Sequence, residues 1–115
     1  MHLESEALAN NITRIALSGR LDIVGAREID LQFQGLTTNR KAAIIVDLSG
    51  VDFIASIGIR TLLASARSQS NRGGKLVLLN PQPAVKGVLQ TAGVSDLIPV
   101  FDDQTAAEAA LQGIA

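Results

Sequence analysis

The sequence has no cysteine, no tryptophan and no tyrosine, and His2 is its only histidine. Without cysteine, the chain cannot form a disulfide, a thiolate nucleophile or a cysteine-based zinc site. A Ser–His–Asp triad or a histidine-rich metal site would need residues that are missing. The composition therefore argues against hydrolytic catalysis, and we expect no catalytic residues, no metal site and no cofactor.

Aromatic side chains and net charge are both scarce. Three phenylalanines are the only aromatic residues of the Phe, Trp and Tyr class, and ten basic residues face eleven acidic ones, which gives a formal charge of -1. Proteins that bind nucleic acid usually carry an excess of basic residues or stack bases on aromatic rings. The composition therefore disfavours a nucleic-acid partner and favours a protein partner.

Long hydrophobic runs are absent as well. No run approaches the roughly 20 apolar residues that a membrane-spanning helix needs, and no basic segment followed by an apolar one marks a signal peptide. We therefore expect a cytoplasmic protein with no membrane partner. At 115 residues and 47% hydrophobic content, residues 1–115 are expected to form a single domain with a core of Ile, Leu, Val and Ala.

The spacing of apolar residues predicts strands that alternate with helices. Asn and Gly residues mark the ends of the first two predicted strands, and Gly19–Asp22 is interpreted as a loop. The predicted strands are Leu3–Leu8, Ile12–Leu17, Ala42–Leu48, Lys75–Leu79 and Ile98–Phe101. The predicted helices are Ile23–Thr38, Ser56–Ser70, Ala84–Ala92 and Thr105–Gln112.

Two of these strands, Ala42–Leu48 and Lys75–Leu79, are almost entirely apolar, which is typical of strands covered on both faces. The helix between them makes a right-handed βαβ unit and hence a parallel pair. The first two strands indicate a hairpin with a turn at Ala9–Asn11, and Pro99 indicates an edge strand. The order of elements is therefore β-β-α-β-α-β-α-β-α.

The helical pattern also predicts which side chains face the core. In the second predicted helix, four apolar residues are expected to face the core and four polar residues to face solvent. In the third predicted helix, three apolar residues are expected to face the core. The inward residues are Ile59, Leu62, Leu63 and Ala66 in the second helix and Val85, Val88 and Leu89 in the third. The outward residues of the second helix are Arg60, Ser65, Arg67 and Gln69.

Two polar residues stand where helices are predicted to begin. Asp22 and Ser56 are both residue types that favour the N-cap position, because their oxygen atoms accept a first-turn N–H. A hydroxyl at a helix start also lies where an added phosphate would be stabilised by free N–H groups and the helix dipole. For Ser56 both interpretations, a cap and a functional residue, stay open.

Acidic and glycine residues suggest one further alternative. Asp47 lies near the end of the strand Ala42–Leu48, where α/β proteins often place functional residues, so an aspartyl phosphoacceptor of the receiver type is possible. The opening pair of strands and the lack of a lysine directly after the later strand argue against it. The glycines do not form a phosphate-binding loop, because neither GxxxxGK[ST] nor GxGxxG occurs.

Four stretches together resemble the STAS domain of bacterial anti-sigma factor antagonists. They are Gly19–Asp22 (GRLD), Ile44–Gly58 (IIVDLSGVDFIASIG), Gly73–Leu78 (GGKLVL) and Pro83–Leu89 (PAVKGVL). The resemblance extends over nearly the whole chain in the same order. It implies a small single-domain α/β fold, with a mixed sheet and about four helices packed mainly on one side.

The resemblance also implies a regulatory function. The unphosphorylated protein would bind an anti-sigma factor that is also a serine kinase, and phosphorylation of Ser56 would release it; a serine phosphatase is a further candidate partner. The family pattern has an acidic residue before the serine, whereas this chain has Ala55. An alternative is a STAS adaptor that does not switch, in a transport or sensory complex. The implied partner-binding residues are Asp22, Ile54, Ser56, Ile57, Gly58 and Arg60.

Overall fold

Five strands form one mixed sheet in the computed structural model, which describes residues 1–114. The elements are β1 (His2–Ala7), β2 (Ile12–Leu21), α1 (Ile23–Thr37), β3 (Ala43–Ile54), α2 (Ser56–Arg72), β4 (Lys75–Leu79), α3 (Pro83–Thr91), β5 (Val100–Phe101) and α4 (Gln104–Ala110). The strands lie in the order β1-β2-β3-β4-β5, with β1 antiparallel to β2 and the others parallel. The predicted order of elements, the hairpin and the parallel βαβ unit are confirmed.

Helices cover the two faces of the sheet unequally. The larger cluster of buried apolar residues joins one face to α1, α2 and α3, which contribute Phe33, Leu62 and Leu89 among others. On the other face, Ala107 of α4 packs with a smaller cluster that includes Ile45. The prediction of helices mainly on one side is therefore confirmed. Ile45 lies at the centre of the sheet and has no exposed surface.

Strands β2 and β3 are longer than the sequence predicts. The predictions that they end at Leu17 and Leu48 are wrong, because they stay paired to the end of each strand through two shifts of register. Gly50 permits this, since a Cβ atom there would lie only 2.8 Å from the Cβ of Ser18. The stretch that begins at Gly19 is thus the last part of a strand, not a loop. The long pair β2–β3 extends past the end of β4 and carries the start of α2.

The buried face of α2 is broader than its apolar pattern predicts. Ser65 and Gln69, expected outside, are buried, whereas Val88 of α3, expected inside, is 39% exposed. The Ser65 hydroxyl lies 3.0 Å from that of Thr37 on α1. Because α1 packs along one side of α2 while the sheet lies under another, this helix buries polar side chains as well as apolar ones.

Gln69 supplies the other polar contacts of α2. Its amide nitrogen donates to the carbonyl oxygens of Thr37 (2.7 Å) and Arg40 (2.8 Å), and its amide oxygen accepts the N–H of Ala42 (2.8 Å). These bonds hold the connection between α1 and β3 against α2. We call this set of contacts the Gln69 network.

Candidate functional site

Helix α2 begins one residue earlier than a cap at Ser56 would require. Ala55 occupies the N-cap position: its backbone is extended, and its carbonyl oxygen accepts the N–H of Ile59 at 3.1 Å. The prediction that Ser56 is the N-cap is therefore wrong, because Ser56 is the first helical residue. No side chain caps this helix, and the Ser56 side chain is exposed. The Ser56 hydroxyl therefore does not cap the helix.

The start of α2 is held tightly against the ends of β2 and β3. The Ala55 N–H donates to the Leu21 carbonyl oxygen at 2.9 Å. At Gly58, a Cβ atom would lie 2.6 Å from the side chain of Leu21 and 3.0 Å from that of Ile54. Ile54 and Gly58 are both buried, so these two predicted partner-binding residues lie beneath the surface. Their role in the structure is to position Ser56.

Asp22 lies beside this helix start, at the end of β2. Its carboxylate caps α1 by accepting the N–H of Gly25 at 2.8 Å, so the N-cap prediction is confirmed. Its other oxygen lies 3.4 Å from Nε of Arg20, and the Arg20 guanidinium stacks 4.1 Å from the ring centre of Phe53. Arg20 and Phe53 were not predicted as site residues. Only the position of Arg20 within the GRLD stretch could have indicated it.

The hydrogen bond from Gly25, together with the nearby Arg20, lowers the pKa of Asp22 below its ordinary value of 3.8. A carboxyl whose pKa is lower in the folded protein adds stability above pH 3.8 and loses that contribution as the pH falls through the folded pKa. We expect a carbon NMR titration of Asp22 to have its midpoint below 3.8. Arg20→Gln should raise this midpoint only in part, because the Gly25 N–H remains; a midpoint above 3.8 in the wild type would contradict the cap.

A groove between α1 and α2 runs along this surface, with a volume of about 660 Å³. Two predicted site residues, Ile57 and Arg60, line it together with Ser56. Apolar side chains beside it are unusually exposed, with Ile23 at 59% and Val24 at 66%. An exposed apolar surface with a polar rim is typical of a protein–protein interface. The groove residues are Ile23, Ala26, Arg27, Asp30, Ala55, Ser56, Ile57, Arg60 and Thr61.

Asp47, the alternative phosphoacceptor, faces away from this surface. It lies on the α4 side of the sheet, where it forms an ion pair with Arg14 and accepts the Ser49 N–H at 2.9 Å. The residue is only 6% exposed. A buried, paired carboxylate is poorly placed to accept a phosphoryl group from a donor in solution. Its position gives the receiver alternative no support.

Two further features of the described residues 1–114 bear on metal binding and on membrane insertion. No group of three or more His, Cys, Asp or Glu side chains there is arranged to hold a metal ion. No helix in that range is long and apolar enough to cross a membrane.

Comparison with known proteins places the chain in a family. Residues 7–107 match the STAS domain model. The anti-sigma F factor antagonist of Lysinibacillus sphaericus is 31% identical over 99 residues, which is 82% of this chain and 81% of that protein.

Solved structures agree on the fold. The structure of the anti-sigma factor antagonist SpoIIAA in its unphosphorylated form superposes with a TM-score of 0.75 and 24% identity, covering 99% of both chains. The Bacillus SpoIIAA structure in the phosphorylated form gives a TM-score of 0.66 at 24% identity, covering 95% of this chain and 99% of that one. The small α/β architecture with its mixed sheet is thus the STAS fold.

Proposed function

The chain belongs to the STAS domain family, and from this premise we propose that it is an anti-sigma factor antagonist that switches partners. Its unphosphorylated form binds an anti-sigma factor serine kinase through the surface around Ser56, and phosphorylation of Ser56 releases that kinase. A serine phosphatase would restore the binding form. In this proposal the protein is a cytoplasmic substrate and switch, not an enzyme.

The observation that carries this proposal is the position of Ser56. Its exposed hydroxyl lies in the first turn of α2, takes no part in capping, and borders a groove with exposed apolar neighbours. A residue whose structural role is small and whose surroundings resemble an interface is well suited to modification. The phosphorylated form of the structural neighbour SpoIIAA also supports a phosphate switch in this fold.

The start of α2 can also accommodate the phosphate itself. The first-turn N–H groups have no side-chain acceptor, and the helix dipole favours an anion there. Arg60 lies one turn further along and makes no ion pair among residues 1–114, so its charge is available to a phosphate. We therefore expect phosphorylated Ser56 to leave the domain folded.

Ala55 bears on how the kinase would recognise the site. An acidic residue there would place a negative charge next to the acceptor, whereas Ala55 offers none. A kinase that recognises this charge would phosphorylate Ser56 slowly. If the kinase instead recognises the surrounding surface, with Asp22 and Arg60, Ala55 would not affect the rate of phosphorylation.

Coexpression with the cognate kinase followed by phosphopeptide mapping tests the proposal. We expect a single phosphate on the peptide that contains Ser56, and none on the Ser56→Ala variant. Ser70→Ala is the matched control, because Ser70 is an exposed serine near the other end of the same helix. If the kinase binds but phosphorylates both variants equally, Ser56 is not the acceptor, and a non-switching adaptor becomes the better interpretation.

A further inference from the structure

Half of the chain's ten basic residues gather at the end of the molecule opposite Ser56. They lie on the last turns of α2, on the loop that leads into β3 and at the first residue of β4, and therefore at the N-terminal ends of the parallel strands. We call this surface the basic end. It comprises Arg40, Lys41, Arg67, Arg72 and Lys75.

Backbone and side-chain contacts join the two loops into one surface. The Lys75 N–H donates to the Ala42 carbonyl oxygen at 3.0 Å. The Lys41 side chain runs past Gly73, where a Cβ atom would lie 4.0 Å from its Cδ and Cε atoms. Gln69 bonds to the backbone on both sides of Lys41. The backbone that carries Arg40, Lys41 and Lys75 is thus held against the end of α2 by the Gln69 network and by the pairing of Lys75 with Ala42.

Within the part of the chain that the structure describes, no carboxylate forms an ion pair with these cations. The sequence has no acidic residue between Asp52 and Asp96. Glu6, near the end of β1, and Asp96, before β5, lie toward this end of the sheet, and neither forms an ion pair with the five cations among residues 1–114. Because the formal charge of the whole chain is only -1, the rest of the molecule is correspondingly acidic. Positive charge is therefore concentrated at one end of the molecule, although basic and acidic residues nearly balance over the whole chain.

An exposed leucine lies at the same end. Leu97, 69% exposed, borders a shallow groove of about 210 Å³ with Arg67, Ser70 and Asn71. It precedes β5, which runs parallel to β4, and so lies at the same end of the sheet as Lys75. Basic side chains around an exposed apolar one are typical of surfaces that lie on a bilayer interface.

We propose that the basic end binds the surface of an anionic lipid bilayer, with the cations against the headgroups and Leu97 in the interface. The cations lie on the end of α2, on the loop before β3 and at the start of β4, beside shallow grooves and not in a cleft that could enclose a nucleic-acid strand or a peptide. Binding to the flat surface of an anionic bilayer does not require a cleft in the protein. The 17 residues of α2 would hold Ser56 roughly 25 Å from the lipid, leaving its surface free for a protein partner.

Vesicle sedimentation tests this proposal independently of any kinase. The protein should sediment with phosphatidylcholine vesicles that contain phosphatidylglycerol and not with pure phosphatidylcholine. Each basic residue near such a surface raises the partition coefficient by roughly fivefold, and salt screens the attraction. We expect high salt to release the protein, and Lys41→Glu combined with Arg72→Glu to lower partitioning by a factor of about ten or more.

The matched control is Arg27→Glu combined with Arg60→Glu, which makes the same change of charge at the opposite end. It should bind vesicles far better than the basic-end variant, with circular dichroism confirming that both are folded. The proposal fails if anionic vesicles do not sediment the wild type, or if both double variants lose binding equally. It also fails if duplex DNA competes better than the lipid does. If DNA releases the protein from the vesicles when the concentration of DNA phosphate is below that of the anionic lipid, the basic end is a nucleic-acid site.

Discussion

Replacing Gln69 with leucine should lower the free energy of unfolding by roughly 2–4 kcal/mol, because one buried and two partly buried backbone groups lose their partners at once, and a buried one costs about 1–3 kcal/mol. Those groups are the carbonyl oxygens of Thr37 and Arg40 and the N–H of Ala42. Gln69 itself has no exposed surface, so solvent is poorly placed to replace it. The loss would be a large part of a typical domain stability of about 5–15 kcal/mol.

Urea unfolding followed by circular dichroism measures this change. Gln90→Leu is the matched control, since it makes the same substitution at an exposed position of α3 and should alter stability by no more than about 0.5 kcal/mol. If Gln69→Leu does not fold, Ser65→Ala gives a milder test, with an expected loss of about 1 kcal/mol from the contact with Thr37. A change below about 1 kcal/mol in Gln69→Leu would contradict the network.

A negative charge at Ser56 should weaken kinase binding by about a hundredfold or more. An unpaired charge at a packed interface commonly costs several kcal/mol, and each 1.4 kcal/mol is about a factor of ten in affinity. Ser56→Asp places such a charge at the rim of the groove, while the free N–H groups of the first turn and the helix dipole keep the fold intact. Ser56→Ala should bind within about a factor of five of the wild type.

The alanine variant also tests the helix cap. A serine cap contributes about 1 kcal/mol, and the sequence pattern predicts this loss. Because Ala55 holds the cap position, we expect Ser56→Ala to unfold close to the wild-type midpoint. A loss of about 1 kcal/mol would show that the hydroxyl caps the helix in solution.

Titration calorimetry against the kinase measures the affinities. Ser70→Asp is the control for charge alone, because it adds the same carboxylate near the far end of α2, away from the groove. It should bind like the wild type. If Ser56→Asp binds as tightly as the wild type, the surface around Ser56 is not the kinase interface, and the proposed switch is wrong.

The sequence by itself determined the order of elements and the class of the fold. Alternation and apolar runs distinguish strands from helices locally. Asp22 marks a helix start through its side chain, whereas Gly73 and Pro83 mark a helix end and a helix start through their backbone conformation. The approximate place of Ser56 at the start of a helix follows from the same local signals. Its expected part in a switch came instead from the resemblance of the surrounding residues to a family.

Only the tertiary structure decided which residues share a surface. Arg20 and Phe53 meet because β2 and β3 stay paired beyond Leu17 and Leu48, where the sequence predicts that they end. The prediction that Gln69 is exposed fails because the polar groups that satisfy it belong to Thr37, Arg40 and Ala42, which lie 32, 29 and 27 residues away in the chain.

The basic end is a second feature that the sequence by itself did not determine. Composition sums charge over the chain and finds it balanced, whereas the parallel arrangement of β3 and β4 brings two basic loops to one end of the sheet. Local periodicity follows from interactions between near neighbours in sequence. Contacts and electric fields depend on distances in space, which the chain acquires only when it folds.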